Sequence, residues 1–340
     1  MGFWIAAALS ANAAPKGKAK ATPVRARVRL EKKAKEVVLL GRKGSAILYS
    51  LPGTSGVVMN AKLEDVKGAR VKLDYDRKVL GEALSKKNWA GAGTVLYRAV
   101  SASLPFLDIE GNNMTGTALR AGTYFMRAGS VRSEGGFTKE TRQRAQREYT
   151  LAFPLLYAVG KADWYDRSEL AMARAATCLL KLDRPDDAQK ILDAMDEPNP
   201  DDEGYGEYNL AYAYLGYLRQ ESLGSMESVV ESIVFETKDI DTFPDALMLS
   251  ARCYENQNSW HRARDVYYEV ACLFRNTHWH DLAMARLRFI LDKELTVVKE
   301  QAQASNVFFG TEEDMDKRVK ELLGIEDEKK RSRPGKEKEK

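Results

Sequence analysis

Histidine is nearly absent. The chain has three in 340 residues, two of them flanking Trp279 as His278 and His280. That leaves little imidazole for acid–base work and no complete four-ligand metal shell. Cysteine is equally scarce. Cys178, Cys253 and Cys272 lie in apolar helical contexts, and an odd number leaves at least one free thiol, so they predict buried, inert thiols. No phosphate-binding glycine loop is present. "GRKGS" at 41–45 lacks the Gly-x-x-x-x-Gly-Lys-Ser/Thr spacing and reads as a strand turn. Gly91-Ala92-Gly93 has Leu96 where a dinucleotide fingerprint needs its third glycine, so these glycines read as close-packing positions between helices. No Ser/His/Asp constellation and no isolated pair of acids stands out. The sequence therefore predicts a protein that is not an enzyme, with no cofactor and no metal.

What is present is an ordinary core-forming composition, 44% hydrophobic and 30% charged, over a length that suits about two domains. It excludes a collagen, a disulfide miniprotein, a polytopic membrane protein and a wholly disordered chain. The net charge of +4 is unevenly spread. Residues 16–35 carry net +8 and residues 327–340 net +3, which leaves −7 for the body. The positive ends read as solvated tails and not as a folded nucleic-acid face, so nucleic acid is not an expected partner. An anionic envelope surface is a weak contact expected for the basic N-terminal segment.

Phe3 to Leu9 is an apolar run of seven residues, followed by Ala11-Asn12-Ala13. The run is far short of the ~20 residues of a spanning helix. Apolar run, polar break and small-residue site come in the order of a secretory signal peptide, although no Lys or Arg precedes Phe3. The expectation is a signal peptide over 1–13, a flexible linker over 14–23 and export to the periplasm or cell surface. Residues 326–340 lack apolar side chains to offset ordering entropy and read as a disordered charged tail.

Residues 24–75 have period two. "VRARVRL" alternates Val24, Ala26, Val28 and Leu30 with three arginines, and four further short runs follow between glycine turns. They predict about five strands in a small barrel or curled sheet. From residue 76 to 325 the period is helical. In the stretch from Trp260, the residues Ala263, Val266, Tyr267, Val270, Ala271 and Phe274 form one apolar stripe. About a dozen helices are expected, among them separate ones over 138–149 and 151–159.

The helices repeat. Trp89, Ala92, Val95, Leu96, Ala99 and Val100 superpose on Trp260, Ala263, Val266, Tyr267, Val270 and Ala271 at an offset of 171 residues, five periods of about 34. On these residues the chain resembles the tetratricopeptide repeat family. The matching positions are Ala251, Tyr254, Ala263 and Tyr267 in 244–275, and Ala176, Leu179, Ala188, Leu192 and Pro200 in 169–200. Asn258 and Asp183 stand where the family has its turn glycine, and Leu179 replaces the aromatic. The resemblance is good over these two stretches, loose over 77–105 and poor elsewhere. It implies a mainly α fold, a solenoid of antiparallel helix hairpins preceded by the small β-rich module. It also implies a protein partner held on a concave face lined by first helices.

Off the apolar stripe of the 244–275 unit lie Asp245, Met248, Arg252, Glu255 and Asn256, and off that of 169–200 lie Thr177 and Lys181. Tyr208 and Tyr212 share a helical face in a tyrosine-rich segment. Of these, Lys181, Tyr208, Tyr212, Met248, Arg252, Glu255 and Asn256 are the candidate partner-binding residues. The expected function is a non-catalytic protein–protein interaction scaffold of the bacterial envelope. The alternative is binding of a cell-wall or surface polymer through the β module, with the helices as spacer.

Overall fold

The structure, a computed structural model, describes residues 23–30, 33–54, 56–133, 139–235, 239–292 and 312–324. The expected signal peptide, nearly all of the linker and the C-terminal tail lie outside these. The described chain is mainly helical, with a small antiparallel sheet at its N-terminal end. It divides into two compact units, one up to Leu218 and one from Arg219 onward. Among the described residues no helix is long and apolar enough to cross a membrane.

The sheet has five strands: β1 (Val24–Leu30), β2 (Lys33–Lys43), β3 (Ala46–Ser50), β4 (Met59–Lys62) and β5 (Val66–Val71). Their spatial order is β4-β3-β2-β1-β5, with every pair antiparallel. The period-two alternation of β1 becomes two faces: Val24, Ala26, Val28 and Leu30 are buried and the arginines between them are exposed. The turn after β2 is shorter than the sequence suggests. Gly41, Arg42 and Lys43 belong to β2, Gly44 takes a left-handed φ of 60°, and the strand register shifts beside Gly41.

The sheet does not stand apart, because the segment 105–113 straps its outer edge. Gly68 N–H donates to Glu110 O at 2.7 Å and Asn113 N–H to Ala69 O at 3.2 Å. The Asn113 side chain accepts from Val71 N–H and donates to Val71 O, so β5 is paired on both sides. Gly68 and Gly111 both have positive φ, and a Cβ on Gly111 would lie 3.8 Å from the Gly68 Cα. The approach is ordinary van der Waals contact, and it is the left-handed backbone at both positions that explains the two glycines. From β2, Arg42 donates to Pro105 O at 2.9 Å and pairs with Asp108.

In the first unit the helices are α1 (Arg77–Ser85), α2 (Trp89–Val100), α3 (Thr115–Ser133), α4 (Lys139–Gly160), α5 (Ser168–Lys181), α6 (Pro185–Leu192) and α7 (Tyr205–Leu218). The second unit holds α8 (Ser222–Phe235), α9 (Thr242–Asn256), α10 (Trp260–Leu273), α11 (His278–Asp292) and α12 (Glu312–Leu323). The two helices expected over 138–149 and 151–159 are one, α4, with Pro154 inside it. Its stripe of Ala145, Tyr149, Ala152, Phe153, Leu156 and Val159 is fully buried. That packing outweighs the one backbone bond the proline removes.

Three hairpins close in the same way. Lys87, Asp183 and Asn258 take left-handed φ of 53°, 64° and 57°. The next N–H reaches back five residues in each: Asn88 to Ala83 O, Arg184 to Leu179 O and Ser259 to Tyr254 O, at 2.8–2.9 Å. This six-to-one bond is the helix-ending motif that glycine usually serves, so Asp183 and Asn258 adopt the conformation of the glycine they replace. Ala176, Ala188, Ala251 and Ala263 are completely buried where the helices cross. A Cβ on Gly93 would lie 3.0 Å from the Phe125 ring, so this glycine permits close packing of α2 on α3.

Candidate functional site

Most of the residues expected to face a partner are covered. Lys181 is 7% exposed, Tyr208 8%, Met248 2% and Arg252 9%, and Thr177 is buried with them. Tyr212, Asp245 and Glu255 are half-buried, and Asn256 alone is openly exposed. The expectation of an open face at these positions is therefore corrected. The reason is the next helix. The polar side of α5 packs between α3 and α7, where a helical wheel shows only a polar stripe. Arg174 donates to Thr123 Oγ1 at 3.0 Å and sits 3.7 Å from Glu207. Thr177 Oγ1 donates to Glu207 at 3.2 Å, and the Lys181 ammonium lies 3.8 Å over the Tyr214 ring. Burial, aided by a hydrogen bond with Tyr212, pushes the Tyr208 phenol far above its ordinary value. The two rings meet edge to face at 4.9 Å.

In the second unit Glu255 is the centre of an internal network. Arg286 of α11 grips its carboxylate with two nitrogens, and Tyr267 OH donates to Oε1 at 2.6 Å. Burial and the nearby Glu255 charge push the Tyr267 phenol far up. Met248 belongs to the apolar cluster of Leu247, Ala251, Tyr267, Trp279 and Leu287. His280 Nδ1 lies 2.8 Å from Ala271 O, and His278 stacks on Trp279. Cys178 and Cys253 are buried, and burial raises both thiols. Cys272 is free and half-buried, less covered than expected.

An open concavity of the first unit lies elsewhere, where sheet meets helices. It is a cleft of about 680 Å³. One wall comes from the end of β4 and the turn after it (Lys62, Glu64), one from the strap (Asp108, Glu110) and one from the α4–α5 connection (Lys161, Trp164). Its charges are partly spent on one another and on neighbouring side chains, with Asp163 in the lining besides. Lys67 pairs with Glu110 at 2.6 Å, Lys62 with Glu64 at 3.4 Å, Arg42 with Asp108, and Lys161 sits over Tyr157 at 4.8 Å. The Trp164 indole N–H is enclosed and has no hydrogen-bond partner among the described residues. Within the strap, Asn112 fixes the turn into α3. Its amide donates to Leu107 O and Ile109 O at 2.8 Å, and its oxygen accepts from Met114 and Thr115 at the start of α3.

Sequence reasoning missed Arg42, Asn112, Asn113 and Trp164. Only "GNNMT" carried a signal, since paired asparagines before a helix are natural caps. The long-range partners of Arg42 and Asn113, 66 and 42 residues distant, leave no trace in local periodicity. Compared with family models, curated proteins and solved structures, the chain matches none.

Proposed function

We propose that the protein is a non-catalytic interaction scaffold, exported to the bacterial envelope, whose helix hairpins form a tetratricopeptide-like array. In this reading the partner protein is received in the cleft between the sheet and the α4–α5 connection, and the buried polar faces of α5, α7 and α9 hold the array together. The observation that carries it is the cleft itself. It sets the Trp164 ring among three lysines and four acids, partly paired with one another, a mixed surface suited to a polar polypeptide without strong net charge. Trp164 supplies amphipathic area of the kind found at binding hot spots. Export is supported by the apolar run and the Ala11-Asn12-Ala13 site.

The test places a photo-crosslinking amino acid at Lys161, on the cleft, and at Glu82, exposed on α1, in the producing cell. A discrete protein adduct is expected from position 161 only, reduced at least tenfold by Trp164→Ala. Adducts of equal yield from both positions, or none from 161, overturn the reading. The intact mass of the native protein should begin at Ala14 or Pro15. A mass retaining Met1 or Gly2 removes export from it.

A further inference from the structure

The outer face of the sheet carries a concentration of positive charge that the proposed scaffold role does not use. On β1, Arg25, Arg27 and Arg29 are all exposed and repeat about every 6.8 Å, two strand steps. The register then sets Arg70 of β5 directly opposite Arg27, and Lys67 opposite Arg29. The one acid opposite this row on β2 is Glu36, facing Arg27. Among the described residues, Arg25, Arg27, Arg29 and Arg70 make no hydrogen bond or ion pair. Lys67 at the margin is the exception, held by Glu110.

Two like charges placed directly across a ladder destabilise a sheet, because the opposed side chains are only about 5 Å apart at Cβ. Glu36 on β2 offsets part of the repulsion between Arg27 and Arg70, and a bound anion would offset the rest. We propose that this face is a binding site for a linear phosphodiester polymer. The residues suit a phosphate chain. Arginine forks fit phosphate oxygens as well as carboxylate ones, and the repeat of about 6.8 Å along β1 favours a chain that carries one phosphate per short polyol unit. The residues also suit a polymer without bases. Single-stranded nucleic acid is held by aromatic side chains stacked on successive bases. The residues opposite the arginine row are Val38, Glu36, Ala34, Arg70 and Lys67, with no ring among them. A polyol-phosphate chain lying along β1 meets Arg25, the Arg27–Arg70 pair and Arg29 in succession.

The site is separate from the Trp164 cleft, and the experiment keeps the two apart. Fluorescently labelled glycerol-phosphate decamer is titrated into the full chain at several salt concentrations. The expected result is salt-sensitive binding. Arg27→Gln/Arg70→Gln should weaken it at least tenfold and lower the slope of log K against log[salt] by ~0.7, for the one phosphate no longer neutralised. Trp164→Ala should leave it unchanged. The double variant should also melt no lower than the parent at low salt, because it relieves a like-charge pair. Equal binding by parent and double variant, or no binding by the parent, overturns the site. A dT20 oligonucleotide binding tighter than the decamer overturns the base-free polymer in favour of nucleic acid. Loss of binding with Trp164→Ala returns the polymer to the cleft.

Discussion

The hairpin α5–α6 in the first unit and the hairpin α9–α10 in the second are built on one plan and finished differently. Both cross at buried alanines, and both turn through a left-handed polar residue closed by the same six-to-one bond. They part in their charged residues. In the first, the polar face of α5 is closed by Glu207 from α7, with the ion-paired Arg174 and Glu207 side chains only 7% and 4% exposed. In the second, Glu255 of α9 is closed by Arg286 of α11, whose side chain is 30% exposed. The shared part is packing, which tolerates no substitution of size. The divergent part is ionic, and its cost depends on how far each pair is withdrawn from water.

The strongest test of the shared part is overpacking. Ala188→Trp and Ala263→Trp both drive an indole into a site with no exposed surface. Each should cost about 3 kcal/mol or more, against the 1–3 typical of overpacked cores. Denaturant melts of the two variants measure it. If one hairpin absorbs the indole at under ~1 kcal/mol, the two crossings are not equivalent.

The divergent part predicts an ordering. Glu207→Ala strands Arg174 in a nearly dry layer and should cost about 3 kcal/mol, in the range for breaking a buried pair. Glu255→Ala leaves Arg286 with access to water and Tyr267 without its acceptor, and should cost about 1–2 kcal/mol. Equal losses in urea titrations would show that exposure does not set the difference.

These pairs also explain what could be read from the sequence. The five strands, the alternation of β1 and the alanine crossings at 176, 188, 251 and 263 all express a period, and a period is local. A helical wheel puts Lys181, Arg252, Glu255 and Met248 on an open face because it separates apolar from polar, not covered from uncovered. In an array of hairpins the polar side of one helix is roofed by another, and the roofing residue is far away in sequence: Glu207 is 30 residues from Thr177, and Arg286 is 31 from Glu255. The cleft is less legible still, since its walls come from β4, the strap and the α4–α5 connection.

A smaller effect distinguishes the turns. Asp183 and Asn258 hold left-handed φ without being glycine. Replacement by glycine removes Cβ strain but loosens the unfolded chain, so the net gain is modest. Asp183→Gly should stabilise by about 0.5 kcal/mol and Asn258→Gly by less, since asparagine tolerates this region best. Thermal melts would show it. Destabilisation at Asp183 would mean that its side chain contributes more than the strain costs.

The last difference between the hairpins is a carboxyl. Glu269 lies half-buried on α10, whereas the matching offset of 75 residues, that of Ala188 and Ala263, falls in the first hairpin on Ala194, exposed in the turn after α6. Desolvation raises the Glu269 carboxyl above its ordinary value. Below the unfolded-state value, near pH 4.3, both folded and unfolded chains carry the proton and burial exacts no penalty. As pH rises, the unfolded chain ionises first, while the folded chain must either keep its proton or expose a charge to a poor solvent. Stability present in acid is therefore lost as pH passes through the folded-state value. Glu269→Gln keeps the shape and cannot ionise. It should melt above the parent at pH 7.5, and the gap should close by about pH 4. Ala194→Gln, on the first hairpin, should show no such pH dependence. A gap for Glu269→Gln that persists unchanged from pH 4 to 7.5 would mean that the substitution acts through packing, and that the two hairpins do not differ in buried charge at this position.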